Sequence, residues 1–131
     1  WPVVGNTEAI AINQAWAGEA GRLVMASPQN VTMQVFAGRE CEANHTAQLP
    51  TFTVWAKTLP EGQAAVAINT LSAPVSLTVP FEALRLQGTV TATDVWSKQQ
   101  ETVQDQWRVT LPPRGSKFVK FVPKTDAEYR R

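Results

Sequence analysis

Apolar and polar residues alternate with a period of two along most of the chain after residue 30. Because successive side chains of a strand point to opposite faces of a sheet, this alternation predicts short, half-buried β-strands. Val, Thr, Ile and aromatic residues are enriched in the alternating stretches, as is typical of strands. The predicted strands are residues 32–37, 52–58, 64–70, 75–79, 89–96, 105–111 and 117–122.

Turn residues separate the predicted strands. Residues 60–62 contain the proline and glycine of a hairpin turn, and residues 72–74 contain a proline that separates the next two strands. The two prolines of residues 112–115 cannot continue a central strand. We interpret residues 81–86 as a helical turn that closes one end, and residues 39–50 as an inserted polar loop. Consecutive strands without helical crossovers predict an all-β fold, an antiparallel β-sandwich of Greek-key type.

The alternation also indicates which side chains form the core. In the strand at 117–122 both faces are apolar, so we expect that strand to be central or covered. Trp55 is out of phase with the apolar side of its own strand and is expected to point away from the core. Each of the following sets is expected to share one face: Trp107, Val109 and Leu111; Phe52, Val54 and Ala56; Val66 and Ile68; Val119 and Phe121.

The first part of the chain has a different pattern and predicts a short helix over residues 6–14. Asn6 is a suitable N-cap, and Glu8 lies near the positive end of the helix dipole. Gly18 and Gly21 end the helical stretch. Since a helix this short is marginal in water by itself, it must pack on another element.

Length, charge and hydropathy limit the class of protein. The 131 residues are enough for one domain, and 44% hydrophobic residues indicate a folded core. The net charge of +1, with scattered Lys and Arg, gives no indication of nucleic-acid binding. No apolar run approaches the ~20 residues of a membrane-spanning helix, so no membrane partner is expected.

Residues suited to metal or cofactor chemistry are few. Cys41 is the one cysteine and His45 the one histidine, so the chain lacks the ligands of a zinc site and cannot close an internal disulfide. Cys41 stands between two glutamates, which raise rather than lower a thiol pKa. We therefore expect no metal, no cofactor and no nucleophile, although a partner for Cys41 outside the chain stays open.

Paired carboxylates hydrolyse sugars, and Asp94 and Asp105 each lie two residues before a tryptophan that could raise their pKa. Both are expected at strand ends, where acidic side chains usually bind turn amides, so we favour a structural role. Trp55 and Trp96 could instead stack on sugar rings, because an exposed indole on a sandwich forms a binding platform. Core or interdomain contact is the competing interpretation of both tryptophans.

Two N-glycosylation sequons occur, at Asn30 and Asn44, each completed by a threonine two residues later. Glycans attach to accessible surface segments of proteins that pass through the secretory pathway. The sequons therefore predict that the protein to which this chain belongs, called the parent protein, is secreted or lysosomal/vacuolar.

Several blocks of sequence resemble one family. Residues 6–14, followed by Gly18 and Gly21, look like the end of the catalytic barrel in family 27 glycoside hydrolases, the family of α-galactosidases and α-N-acetylgalactosaminidases. The chain departs from the family pattern at Ala15, where the family usually has Asp. The resemblance continues, in the family's order, in residues 54–62, 65–69, 94–97 and 111–115.

The resemblance implies that residues 1–24 are the end of a (β/α)8 barrel and residues 25–131 a C-terminal sandwich. The parent would be a retaining enzyme that removes terminal α-linked galactose, with two barrel aspartates as nucleophile and acid/base. No residue of this chain matches those aspartates, so no catalytic residue is expected in it.

The resemblance also implies that the sandwich packs on the enzyme's own barrel and stabilises it, through a seam that includes Ile10, Ile12, Trp16 and Trp55. A carbohydrate-binding module that targets galactose-containing glycans is the alternative. With the seam uncovered, the isolated chain is expected to self-associate.

Overall fold

The computed structural model describes residues 3–37 and 43–124, which form one helix and ten strands. The elements, in chain order, are α1 (Thr7–Gln14), β1 (Arg22–Ala26), β2 (Asn30–Ala37), β3 (Ala43–Pro50), β4 (Phe52–Leu59), β5 (Gly62–Asn69), β6 (Val75–Pro80), β7 (Thr89–Asp94), β8 (Gln100–Gln104), β9 (Gln106–Leu111) and β10 (Ser116–Pro123).

The strands form one large sheet and two hydrogen-bonded pairs. The large sheet has six strands in the order β1-β4-β5-β10-β7-β8, and every neighbouring pair is antiparallel. One face of this sheet, called the inner face here, packs against the β6–β9 pair, and the opposite face is called the outer face. Strands β2 and β3 pair with each other. The predicted antiparallel β-sandwich is confirmed.

The core lies between the inner face and the β6–β9 pair. Trp107 in β9 and Phe121 in β10 meet edge to face, with ring centroids 5.3 Å apart, so an aromatic contact joins the two layers. Residues 81–86 form the predicted turn, in which the N–H of Leu84 donates to the carbonyl oxygen of Phe81 at 3.0 Å. Phe81, Leu84 and Leu86 are buried and close one end of the core.

The alternation predicted most of the buried positions correctly. Strand β10 is central, between β5 and β7, and buries Val119 and Phe121. The prediction was wrong for the face that Val66 and Ile68 share, because both lie on the outer face and Ile68 is exposed. The inner positions of β5 are instead Ala65 and Ala67. Their small side chains leave room for the large residues of the facing β9.

Three strands were not predicted. The expected polar loop over 39–50 is wrong for residues 43–50, which form β3 and pair with β2 from Asn30–Pro50 to Ala37–Ala43; residues 38–42 are outside the described part. Strand β1 pairs with β4 across a bulge, and β8 pairs with β7 at the edge of the sheet. β8 is mostly exposed and polar, so no apolar alternation marks it.

Two predicted strand ends differ because of local hydrogen bonding and backbone angles. Strand β7 ends at Asp94, not at Trp96, because the Asp94 carboxylate accepts hydrogen bonds from the N–H groups of Trp96 and Ser97 in the turn. Strand β9 begins at Gln106, since Asp105 has φ of 67° and therefore lies in a turn.

The predicted helix is confirmed as α1, with Asn6 as its N-cap: the Asn6 side chain accepts from the N–H of Ala9 at 2.9 Å. The division at residue 24 stays a prediction, and β1 spans that position. No helix in the described ranges, 3–37 and 43–124, is long and apolar enough to cross a bilayer.

Candidate functional site

Helix α1 lies on the outer face and is held there by both apolar and polar contacts. Ile12 is buried against Leu59, Ala64 and Val95, with Phe118 packed beside them. Ala64 has the small side chain that lets a helix approach the sheet closely. The requirement that so short a helix must pack on something is met by the sandwich itself.

Two lysines flank the helix on the strands next to Ala64. Lys57 in β4 and Lys120 in β10 are both cross-strand partners of Ala64. The Nζ of Lys57 donates to the carbonyl oxygens of Ile12 and Asn13, at 2.9 and 3.0 Å, in the last turn of α1. A cation at this end of a helix is favourable, because the free carbonyls there carry partial negative charge.

The first turn of α1 is fixed by an ion pair and by its cap residue. The Nζ of Lys120 lies 2.8 Å from Glu8 Oε1 in the helix and 2.8 Å from Glu61 Oε1 in the β4–β5 turn. Hydrogen bonds from Lys120 to Glu61 and Glu8 raise the pKa of the ammonium, and the bond from Lys120 lowers the pKa of Glu61. The Nδ2 of Asn6 donates to the carbonyl oxygen of Val95 at 2.9 Å.

The segment between α1 and β1 is also attached to the sandwich. Glu19 Oε1 accepts from Thr58 Oγ1 and from Arg85 Nη1, both at 2.6 Å, and from Arg22 Nη1 at 3.2 Å. The hydrogen bond from Thr58, together with the two guanidinium groups, holds the pKa of Glu19 below its ordinary value. The helix and the segment that follows it therefore form one unit with the sheet.

Exposed apolar side chains are concentrated around this helix. Of the nine exposed large hydrophobic residues in the described part of the chain, eight lie on the outer face, on α1 or in the segments flanking it, and the ninth, Leu49, lies in β3. We call the following six the outer apolar face: Ile10, Trp16, Leu23, Trp55, Ile68 and Trp96. Contiguous exposed apolar surface of this kind marks an interaction site.

Trp55 and Trp96, the predicted sugar-stacking residues, both belong to this face, and each is a little under half exposed, at 45% and 42%. Trp55 points outward from β4, as the alternation predicted, and its Nε1 donates to Thr53 Oγ1 at 3.2 Å. Trp96 meets Phe118 edge to face at 5.6 Å. The two indoles stand on either side of the Val66–Phe118 cross-strand pair, so they flank one apolar surface.

The seam residues predicted for contact with a barrel occupy two different positions. Ile12 is buried between α1 and the sheet, so its apolar surface is used within this chain. Ile10 and Trp16 point away from the sandwich, and Trp16 is 68% exposed.

Asp94 has the structural role that was favoured for it. Burial would raise the pKa of its carboxyl group, but the N–H groups of Ser97 and Trp96 and the ammonium of Lys117 outweigh burial and lower the pKa. A general acid needs the opposite shift. Asp105 lies in the turn before β9, away from the outer apolar face, and its carbonyl oxygen accepts from the N–H of Phe81 at 3.2 Å.

A polar cleft of about 350 Å³ opens in another part of the fold, where β7 and β8 face β9. Its charged lining residues include Asp94, Glu101, Arg108 and Lys117, and Asp94 and Lys117 pair with each other at 3.5 Å. The aromatic residue in its wall, Trp107, is buried and offers no free indole face for a sugar. Metal chemistry has no candidate either: within residues 3–37 and 43–124, no three His, Cys, Asp or Glu side chains cluster.

The sequons lie on the β2–β3 pair, which contributes none of the six residues of the outer apolar face. Asn30 is exposed at the start of β2, and Asn44 lies in β3 opposite Phe36. Cys41 is outside the described residues. The outer apolar face was only partly predicted, because Leu23, Ile68 and the position of α1 depend on strand pairing that the sequence did not indicate.

The fold and this apolar outer side define the class of the chain: a β-sandwich domain that carries exposed apolar side chains on one side. The family model described as "Alpha galactosidase C-terminal beta sandwich domain" matches residues 50–121, more than half of the sequence. The chain belongs to this family. The resemblance to the C-terminal region of family 27 glycoside hydrolases is thereby confirmed.

Solved structures show the same fold. A family 27 β-L-arabinopyranosidase from Geobacillus stearothermophilus matches with a TM-score of 0.72 and 20% identity, over 95% of this chain and 24% of that one. α-Galactosidase I from Mortierella vinacea matches with a TM-score of 0.67 and 12% identity, over 92% of this chain and 27% of that one. The chain thus spans about a quarter of the length of these structures. No curated protein sequence matches it.

Proposed function

We propose that this chain is the non-catalytic C-terminal sandwich of a glycoside hydrolase of the α-galactosidase type, and that it stabilises the catalytic barrel by packing on it. The parent enzyme would remove terminal α-linked galactose with retention of configuration, using two aspartates of the barrel. Family membership supports the domain assignment, and the outer apolar face supports the packing role.

The observation that carries this proposal is the one-sided distribution of exposed apolar residues. The outer apolar face combines three indoles with Ile10, Leu23 and Ile68. Of the other exposed large hydrophobic residues in the described part of the chain, Val3 and Val4 lie just before α1 and Leu49 lies in β3. Leaving this surface in water costs free energy in proportion to its area, so it is best explained by a partner that covers it. Interdomain contacts within one chain typically cover roughly 600–1,500 Å².

The composition of the surface favours a protein partner over a sugar. Sugar sites combine an aromatic platform with several polar groups aimed at the hydroxyls of the ring. Next to Trp55 the polar groups include the Thr53 hydroxyl, the Asn13 amide and the Lys57 ammonium. Thr53 already accepts from the Trp55 indole, and Lys57 already donates to two helix carbonyls. Trp96 contacts Phe118 edge to face, and the Asp94 carboxylate near it is already bonded to the N–H groups of Trp96 and Ser97 and paired with Lys117.

Activity and ligand titration test this proposal together. The polypeptide that joins this chain to its preceding barrel should hydrolyse an aryl α-galactoside, and the 131-residue chain alone should not. Galactose titrated into the isolated chain should leave its tryptophan fluorescence unchanged. Turnover by the isolated chain, or a saturable fluorescence shift with galactosides, would contradict the packing role and support the hydrolase or the glycan-binding alternative.

We also propose that the parent is secreted or lysosomal/vacuolar and carries N-glycans at Asn30 and Asn44. Asn30 and its acceptor threonine, Thr32, are exposed, and so is Thr46 of the second sequon. Both sequons lie on the β2–β3 pair, which contributes no residue to the outer apolar face. Glycans there would leave the proposed docking surface free.

A further inference from the structure

A groove runs along one side of helix α1, between the helix and a row of outward-pointing side chains of the large sheet. One wall is the helix, with Ala9 and Ile12, and the other is the cross-strand row of Trp55, Val66 and Phe118. The groove has a volume of about 310 Å³. We call it the helix groove.

The helix groove exists without a partner, because α1 is fixed at both ends. Lys57 binds the last turn of the helix, and Lys120 and Asn6 fix its first turn. A site that is already formed does not lose binding free energy to the ordering of its own wall. The groove is therefore a preformed recess within the outer apolar face.

The chemistry of the walls specifies what can fill the recess. Its surface is formed mainly by alanine, isoleucine, valine and aromatic side chains. Of its two polar side chains, Asn13 and Lys57, the lysine is already hydrogen-bonded to the helix. A hydroxyl-rich ligand placed here would lose its hydrogen bonds to water without replacing them. An aliphatic or aromatic side chain would lose none.

We infer that the helix groove receives apolar side chains, such as leucine, methionine or phenylalanine, from the catalytic barrel of the same polypeptide. This inference rests on the proposed function. It names the part of the sandwich surface that would fix the position of the barrel relative to the sandwich. The family is a C-terminal domain, and the matched structures are about four times as long as the matched region. A preceding domain would connect through the residues before α1, and α1 is itself one wall of the groove.

Filling the groove tests the inference. The substitution is made in the polypeptide that joins this chain to the barrel, called the two-domain polypeptide. There the indole of Val66→Trp should occupy the groove and exclude the barrel side chains. The control is Thr78→Trp, at an exposed position of β6 in the layer on the other side of the core, outside the outer apolar face. We expect Val66→Trp to accelerate thermal inactivation roughly tenfold, because overpacking a fitted contact is destabilising, and Thr78→Trp to change it little.

A second measurement needs no substitution in the groove. Hydroxyl-radical oxidation of Phe118 should be several-fold slower in the two-domain polypeptide than in the isolated chain. If Phe118 oxidises equally fast in both, and Val66→Trp behaves like Thr78→Trp, the groove inference is wrong. In that case faster inactivation of Leu23→Ser or Trp16→Ser would still support docking, whereas no effect of either would overturn the proposed function as well.

Discussion

The ammonium of Lys57 in β4 donates to the main-chain carbonyl oxygen of Ile12 in α1, 2.9 Å away, and so joins the sheet to the end of the helix. The same ammonium donates to the carbonyl oxygen of Asn13 at 3.0 Å. A strand residue thus supplies the cation that the last turn of α1 lacks, since that turn has no basic residue of its own. One wall of the helix groove depends on this contact.

Lys57→Met should loosen α1 and lower the free energy of unfolding of the chain by about 1–2 kcal/mol, because the substitution removes hydrogen bonds from a charged donor to two carbonyls. Urea unfolding followed by tryptophan fluorescence measures the change. Lys98→Met, at an exposed turn position, is the matched control for loss of one positive charge. Equal stabilities of the two variants would show that Lys57 does not hold the helix.

The Lys120 ion pairs predict how stability depends on pH. The pKa of Glu61 is lowered, so its contribution is complete above the ordinary carboxyl value of 4.5 and is lost as pH falls through the lowered pKa. The pKa of Lys120 is raised, so its contribution is complete below 10.5 and is lost as pH rises through the raised pKa. Stabilisation by the pair is therefore greatest between these two limits.

Lys120→Met should remove this dependence. Its stability deficit relative to the unsubstituted chain should be constant between about pH 5 and pH 10 and should shrink outside that range. Denaturant unfolding across pH measures it. Lys124→Met is the control, because Lys124 donates to the hydroxyl of Thr102 and not to a carboxylate. A deficit for Lys120→Met that does not vary with pH would contradict the role of the ion pairs.

The fold was predictable where burial on one side of a strand imposes alternation. Trp107, Val109 and Leu111 in β9 are buried while the intervening Arg108 and Thr110 are exposed, so the pattern identified both the strand and its core face. β8 shows no such pattern, because at the edge of the sheet it needs only main-chain hydrogen bonds to β7. Within β8 only Val103 is partly buried, so the burial that produces alternation is too small to mark the strand.

The candidate site was less predictable because it depends on register. Lys57, Ala64 and Lys120 are neighbours only through the pairing of β4, β5 and β10, and no sequence spacing brings them together. All three point outward from their strands, and a small residue lies between two cations. That is the feature of the sequence from which the position of the helix could have been predicted. The exposure of Trp55 followed from alternation alone, but the groove beside it required the position of α1.

An uncovered outer apolar face should make the isolated chain self-associate. Sedimentation equilibrium should give a weight-average mass that rises with concentration above the 14.4 kDa of one chain. Leu23→Ser combined with Trp55→Ser should return the mass toward that of the monomer. Leu49→Ser, which removes an exposed leucine from β3 instead, should leave association unchanged, and equal effects of both changes would argue against this face as the cause.

The sequons predict two glycans when the chain is expressed through a eukaryotic secretory pathway. Enzymatic deglycosylation should lower the mass in two increments, one removed in advance by Thr32→Ala and the other by Thr46→Ala. Thr32→Ser keeps the first sequon and should keep its glycan. A secreted chain whose mass does not change on deglycosylation would contradict the proposal for Asn30 and Asn44.

Side-chain footprinting of the two-domain polypeptide tests most directly whether the outer apolar face docks on the barrel. Hydroxyl-radical oxidation of Trp16, Trp55 and Trp96 is compared between that polypeptide and the isolated chain under monomeric conditions, with the buried Trp107 as the internal reference. Docking predicts several-fold slower oxidation of the three exposed indoles in the longer polypeptide and no change at Trp107. Equal oxidation rates in both proteins would contradict docking through this face.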